Sequence, residues 1–221
     1  MTLKKYKEVI HKDFLKDIDF IDKAIKKLHL QPDSRIIDIG TGIGAMSILL
    51  ALNNLNVLTG EPKINLEKDH SNSQNHSHNH GNYNKACHEG HHEDTVKENW
   101  EHWGDWKVSA KKLGVLNRIK YQHFNVEKLP FVSESFDGIF MYDTLQHVNN
   151  RGIALKECLR VLAPDGVICV IEWSKETIEY ENKTYGYEID YVDPRNYLKT
   201  SNLSVETIPG KFVIIYIIQK N

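Results

Sequence analysis

Apolar residues recur at helical spacing through the opening stretch (Phe14, Ile18, Ile21, Ile25, Leu28), which predicts one or two amphipathic helices ending before a turn at Pro32-Asp33. The period then changes. Arg35-Ile-Ile-Asp-Ile39 reads as a short buried strand, closed by the turn Gly40-Thr-Gly-Ile-Gly44 and followed at once by an apolar helix, Ala45 to Leu52. A second strand, Asn56 to Thr59, ends at Gly60-Glu61. From about Pro62 to Asp94 apolar residues nearly vanish, so residues 62–94 are expected to be a polar, mobile insertion.

Alternation resumes with an amphipathic helix expected over Val96 to Leu113, a strand over Ile119 to Phe124 and another over Phe136 to Asp143. A helix follows from Ile153 to Val161, then a turn at Pro164-Asp165-Gly166 and the apolar strand Val167 to Glu172, a type found in the middle of parallel sheets. Two last strands, Leu203 to Thr207 and Phe212 to Gln219, face each other across Pro209-Gly210. The pattern predicts an α/β fold: a doubly wound, mostly parallel seven-stranded sheet, Rossmann-like, with an antiparallel C-terminal hairpin strand. One domain over 1–221 is expected, with 1–31 as a helical cap and 174–200 as a connection on the substrate side.

Composition narrows the function classes. Lys+Arg 28 against Asp+Glu 30 gives a net charge of -2 with no dense basic segment, which argues against nucleic acid and for a small-molecule partner. The start has no apolar core of signal-peptide length, and the longest apolar run, Phe212 to Ile218, is too short to span a bilayer. Cysteines at 87, 158 and 169 form no CxxC pair, which suits a reducing compartment. The expectation is a cytoplasmic protein without a membrane partner; nothing in the sequence sets its oligomeric state.

The turn Asp38-Ile-Gly40-Thr41-Gly42-Ile-Gly44 stands where the first strand meets the first helix, the place where such sheets bind ligands. Glycines there allow tight backbone angles and close approach of a ligand. Gly40, Gly42 and Ala45 also satisfy the dinucleotide pattern, with Glu61 near the position of a ribose-holding acid, so a nicotinamide cofactor stays open on this motif alone.

Further motifs follow in order: Asn125-Val-Glu-Lys-Leu-Pro-Phe131, Ser135-Phe-Asp-Gly-Ile-Phe140 and Glu157-Cys-Leu-Arg-Val-Leu-Ala-Pro-Asp-Gly166. With Arg35 to Gly44, this set resembles the class I S-adenosylmethionine-dependent methyltransferases of the small-molecule, type 11 kind. The resemblance covers about Asp33 to Glu172 apart from the insertion. It implies S-adenosyl-L-methionine as cofactor, with Asp38, Gly40, Thr41, Gly42 and Gly44 around its methionine part and ribose. It also implies that Glu61 holds the ribose hydroxyls, Pro62 packs by the adenine, and Asn125 with neighbouring Val126 meets the adenine edge. The family usually has an aspartate at position 125; an Asn carbonyl oxygen accepts the same bond without charge. The other reading of Asn125 is a turn residue bonded to its own backbone.

Methyl transfer requires chiefly an aligned acceptor, exclusion of water and a base where the acceptor carries a proton. The fold aims Met141-Tyr142-Asp-Thr-Leu-Gln-His147 at the methyl group. Tyr142 is the candidate to face the sulfonium with its ring, and His147 the candidate base, against a capping or packing role for the latter. In the resemblance the acceptor pocket lies between Tyr6, Glu8, His11 and Phe14 on one side and Trp173 to Tyr197 on the other. The tyrosines and acids of that second segment suit a small cationic or aromatic methyl acceptor, or else simply a solvated surface.

Eight of the 12 histidines crowd between His70 and His102. His76, His78, His80, Cys87, His88, His91 and His92 form a ligand set that suits Zn, Ni, Co or Cu, without the spacing of a finger. Trp100, Trp103 and Trp106 follow at helical spacing, as packing or as the lining of an acceptor entrance. Two readings result: methyl transfer to a small molecule, modulated by a bound transition metal, or a metal-binding or metal-sensing protein that keeps the fold without methylating a substrate.

Overall fold

The computed structural model describes residues 3–63, 105–198 and 202–221. Helix α1 (Leu3–Val9) leads through a 3₁₀ turn at Lys12–Leu15 to α2 (Ile18–Lys27). Strand β1 (Arg35–Ile39), helix α3 (Ala45–Leu52) and strand β2 (Asn56–Gly60) follow. After residue 104 come α4 (Trp106–Lys112), β3 (Ile119–Tyr121), β4 (Phe136–Tyr142) and α5 (Arg151–Val161). The chain continues with β5 (Leu162–Trp173), α6 (Lys175–Tyr185), β6 (Leu203–Pro209) and β7 (Val213–Lys220).

The seven strands among the described residues form one sheet in the order β3-β2-β1-β4-β5-β7-β6. Neighbours from β3 to β5 are parallel, while β7 runs antiparallel to both β5 and β6. This is the doubly wound sheet with a terminal hairpin that the pattern predicts. Apolar runs are required because both faces are covered. Along β4, Phe140 packs with α2 and α3 on one face, while Ile139 and Met141 pack with α5 on the other. Ile215 and Tyr216 of β7 divide in the same way, as the period of two demands.

Some boundaries differ from the sequence pattern. Strand β5 begins at Leu162 rather than Val167, because Leu162 already pairs with Phe136; Pro164-Asp165-Gly166 is taken up as an irregularity in register before Val167 meets Gly138. Strand β3 stops at Tyr121, since the chain then curls over Gly60: a Cβ there would lie 1.8 Å from the carbonyl oxygen of Gln122. Between β5 and β6, helix α6 forms where a polar connection is expected, capped by Ser174 and ended by Gly186 at φ +71°. The expected helix over 96–113 is described only from Trp106, and most of the 62–94 insertion lies outside the described residues.

The family-like motifs also have structural work. Asp137 accepts from the Arg35 amide at 2.8 Å and from its guanidinium at 2.6 Å, which ties the starts of β1 and β4. Glu157 accepts from the Leu129 amide at 3.0 Å and pairs with Arg160, which donates to the carbonyls of Phe131 and Leu129. The Leu-Pro-Phe segment is thereby held onto α5.

Candidate functional site

Sheet order reverses at β1, whose successor in sequence, β2, lies to one side and β4 to the other. A crevice at the carboxyl ends of β1 and β4 follows from that switch. The glycine turn fills it. Gly40, Gly42 and Gly44 all have positive φ (+88°, +47° and +76°). At Gly44 a Cβ would lie 2.5 Å from the Cβ of Trp106, so the third glycine permits α4 to close on the turn; at Gly42 nothing lies within 4 Å. The middle glycine presents bare backbone to the crevice.

Asp38 lies buried beneath the turn. Its Oδ2 accepts from the hydroxyls of Ser47 on α3 and Thr59 on β2, the latter at 3.2 Å. Thr59 in turn meets Thr41 Oγ1 at 2.9 Å. The other oxygen, Oδ1, is buried without a hydrogen-bond partner among the described residues. Burial lifts the carboxyl to about 7, against the two hydroxyls that favour its anion.

Beside the turn opens a cavity of about 500 Å³ lined by Thr41, Gly42, Glu61, Trp106 and Tyr121. Glu61 Oε1 accepts from the Gly42 amide at 2.5 Å, which places the acid at the end of β2 directly against the turn. Trp106 and Tyr121 stack at 6.3 Å between centroids and form an aromatic wall. Trp106 is therefore both packed under Gly44 and part of this cavity; Trp100 and Trp103 lie outside the described residues. Pro62, next to Glu61 along the chain, is exposed. Asn125 is exposed too, and its Oδ1 accepts from the Glu127 amide at 2.8 Å, so the oxygen expected to meet an adenine is engaged in a local turn. Its neighbour Val126 is buried in the core.

At the end of β4, Tyr142 is half-buried, and burial together with the carboxylates of Asp143, Asp17 and Glu172 holds its hydroxyl protonated far above the usual range. Asp143 has φ +53°, and burial raises its carboxyl to about 6 although the Gln146 amide bonds it. His147 is exposed on a 3₁₀ turn, Leu145–His147. Sequence reasoning missed Glu172 at the end of β5. Its Oε1 accepts from the amides of Thr144 and Leu145 at 3.2 and 2.7 Å. Burial and the Asp143 carboxylate push Glu172 to about 8, against those amides. Thr59, Ser47 and Thr144 were missed as well. The signal for Ser47 and Glu172 was available, since each is a lone polar residue in an apolar run.

On the expected acceptor side, Tyr6 is fully buried and donates to the Ala45 carbonyl at 2.9 Å, so it supports the turn from below rather than lining an open pocket. Glu8 is exposed, and Tyr180 and Tyr185 project outward from α6 at 60% and 58% exposure. No group of His, Cys, Asp and Glu among the described residues could hold a metal ion, and the seven candidate ligands from His76 to His92 lie outside them. No helix among the described residues is long and apolar enough to cross a membrane.

A family model described as a methyltransferase domain matches residues 94–170. A ubiquinone/menaquinone biosynthesis C-methyltransferase of Citrobacter koseri is 36% identical over 89 residues, which are 40% of this chain and 36% of that protein. Its counterpart from Salmonella arizonae is 35% identical over 96 residues, 43% of this chain and 38% of its own. Over the matched segments the chain is similar to methyltransferases. The match spans little more than a third of the length of these curated relatives. Among solved structures, a SAM-dependent methyltransferase from Aquifex aeolicus shares the fold at TM-score 0.53 and 18% identity, covering 99% of this chain and 98% of its own. The YcgJ protein from Bacillus subtilis does so at TM-score 0.57 and 15% identity, covering 96% and 100%.

The residues present fit the cofactor of these methyltransferases. Asp38 carries a buried oxygen without a partner, Gly42 leaves an open backbone cradle, and Glu61 offers a carboxylate at the cavity wall. That set matches a ligand with cationic, amino-acid and diol parts.

Proposed function

We propose that the protein transfers a methyl group from S-adenosyl-L-methionine to a small-molecule acceptor. The observation that carries this reading is the carboxyl end of β1, where Asp38, three positive-φ glycines and Glu61 surround an open crevice at the switch point of the sheet. The sulfonium of the cofactor supplies an activated methyl group. The chain's own residues hold and orient: the bare Gly42 backbone admits the ligand closely, Glu61 accepts from the ribose hydroxyls, and the Trp106–Tyr121 wall covers a flat apolar face. Tyr142 stands at the end of β4 with its hydroxyl protonated, suited to present a ring rather than a charge. Asp143, half-buried beside it and raised to about 6, joins His147 as a candidate to take a proton from an acceptor. The acceptor is a small molecule rather than nucleic acid, and the place of action is the cytoplasm.

In sequence the histidine-rich stretch follows soon after Glu61, which lines the cavity. The reading therefore includes modulation of cofactor binding by a transition metal such as zinc, nickel, cobalt or copper. Its rival is a metal-binding protein that keeps the fold without methylating. Calorimetric titration of S-adenosylhomocysteine into chelator-treated protein, repeated with zinc or nickel, tests both. Micromolar binding supports the enzyme, and a shift between the two states supports the metal link. Absence of binding in both states favours the rival, and equal affinities remove the modulation.

A further inference from the structure

The turn after β4 grips the glycine turn at one atom. Thr144 Oγ1 shares its proton between the carbonyl of Ile39 at 3.0 Å and that of Tyr142 at 2.9 Å. The β1–β4 ladder ends at Ile39 and Met141, so Thr144 extends the bonding of β1 one step past the sheet, to the last carbonyl before Gly40. The contact with Gly40 itself is close: a Cβ at position 40 would lie 2.4 Å from Thr144 Oγ1 and 2.9 Å from its Cγ2. On the opposite flank the Gly40 amide donates to the Gly60 carbonyl at 3.1 Å. The first glycine is thus clamped between the end of β2 and a threonine hydroxyl.

Thr144 is itself fixed from β5. The buried Glu172 carboxyl oxygen Oε1 accepts from the amides of Thr144 and Leu145, just after Asp143 at φ +53°, a conformation that an L-residue keeps only where its surroundings enforce it. Glu172, Thr144 and Gly40 form one chain of contacts from β5, across β4, to the cofactor side of β1.

We propose that Thr144 is a positioning residue for the glycine turn, with Glu172 as its anchor, so that the geometry of the cofactor cradle is set from the strands that carry the acceptor side. This rests on the reading of the crevice as a cofactor site. Thr144 need not touch the cofactor; it acts through the Ile39 carbonyl and the space left by Gly40.

The test is calorimetric titration of S-adenosylhomocysteine into wild type, Thr144→Val, Thr144→Ser, Glu172→Leu and Arg35→Leu. Valine keeps the shape but sets a methyl against two carbonyls, and affinity is expected to fall roughly tenfold. Serine keeps the hydroxyl and is expected to recover binding to within about threefold of wild type. Glu172→Leu frees the turn amides and should weaken binding as Thr144→Val does. Arg35→Leu loosens the same pair of strands at their far end and controls for general destabilisation, so its affinity should equal wild type. Each comparison is made on protein shown to be folded by circular dichroism; should Glu172→Leu not fold, Thr144→Val against Thr144→Ser decides. Unchanged affinity in Thr144→Val, an equal loss in Thr144→Ser, or an equal loss in Arg35→Leu overturns the inference. No binding by wild type overturns the cofactor reading itself.

Discussion

Glu61 and Gly42 meet directly, the carboxylate of one accepting the backbone amide of the other at 2.5 Å. An acid at the end of β2 is thereby held against the middle of the turn after β1, and both line the same cavity. If this carboxylate holds the ribose hydroxyls, Glu61→Ala should weaken S-adenosylhomocysteine binding by about tenfold or more, the scale of hydrogen bonds to a charged group. Thermal stability should change little, because the Glu61 side chain stands at the cavity rather than in the core. Calorimetry beside a thermal melt checks this, and wild-type affinity would remove Glu61 from the site.

The glycines of the turn should divide in their response to alanine. Gly42→Ala meets no neighbour and costs about 1–2 kcal/mol for its positive φ, yet its methyl enters the crevice. Gly44→Ala adds an overlap with Trp106 on top of the same strain, and roughly 3 kcal/mol of lost stability is expected. Denaturant unfolding and cofactor titration together should show Gly42→Ala losing more affinity than stability, and Gly44→Ala losing both.

Periodicity carried the sheet because the chain must bury both of its faces, and strands such as Val167 to Glu172 leave no other reading. Asp38, the glycines and Glu61 were legible for a related reason: a turn that must bare its backbone selects glycine, and an acid at a strand end stands out. Thr59, Thr144 and Glu172 were not assigned, since each acts through a partner 21 or more positions away, whereas Ser47 bonds Asp38 only nine positions off and was marked only by its polarity in an apolar run. Thr144 matters only because β4 lies beside β1 and brings it to Gly40 across 104 positions. The oxygen of Asn125 illustrates the opposite case, where a family position is clear in sequence and its side chain bonds its own turn.

The Glu157–Arg160 pair should be a stability determinant apart from the cofactor. Arg160 donates to the carbonyls of Phe131 at 2.8 Å and Leu129 at 3.1 Å as well as to Glu157. Arg160→Leu leaves both carbonyls and the carboxylate short of a partner, and a loss of about 2 kcal/mol is expected. Urea unfolding measures it. A midpoint equal to wild type would show that the Leu-Pro-Phe segment is held by packing alone.

Two buried acids and one half-buried acid set the pH dependence of the cofactor-free protein. Asp143, Asp38 and Glu172 stand at about 6, 7 and 8, each raised chiefly by burial above ordinary values of 3.8, 3.8 and 4.5. Between about pH 4 and 8 the folded protein therefore holds protons that the unfolded chain has released, and stability must fall as pH rises through that window. Asp137 and Glu157 act oppositely: their hydrogen bonds with Arg35 and Arg160 depress them, so their contribution is lost only as the pH drops below the usual carboxylate range. The urea midpoint should be higher at pH 5.5 than at pH 8.5. Asp38→Asn, which cannot ionise and keeps an oxygen for Ser47 and Thr59, should make the decline shallower between pH 5.5 and 7. A midpoint that rises with pH, or a slope unaltered by Asp38→Asn, would show that Asp38 is ionised throughout, and its unpartnered oxygen would then have to be satisfied by water.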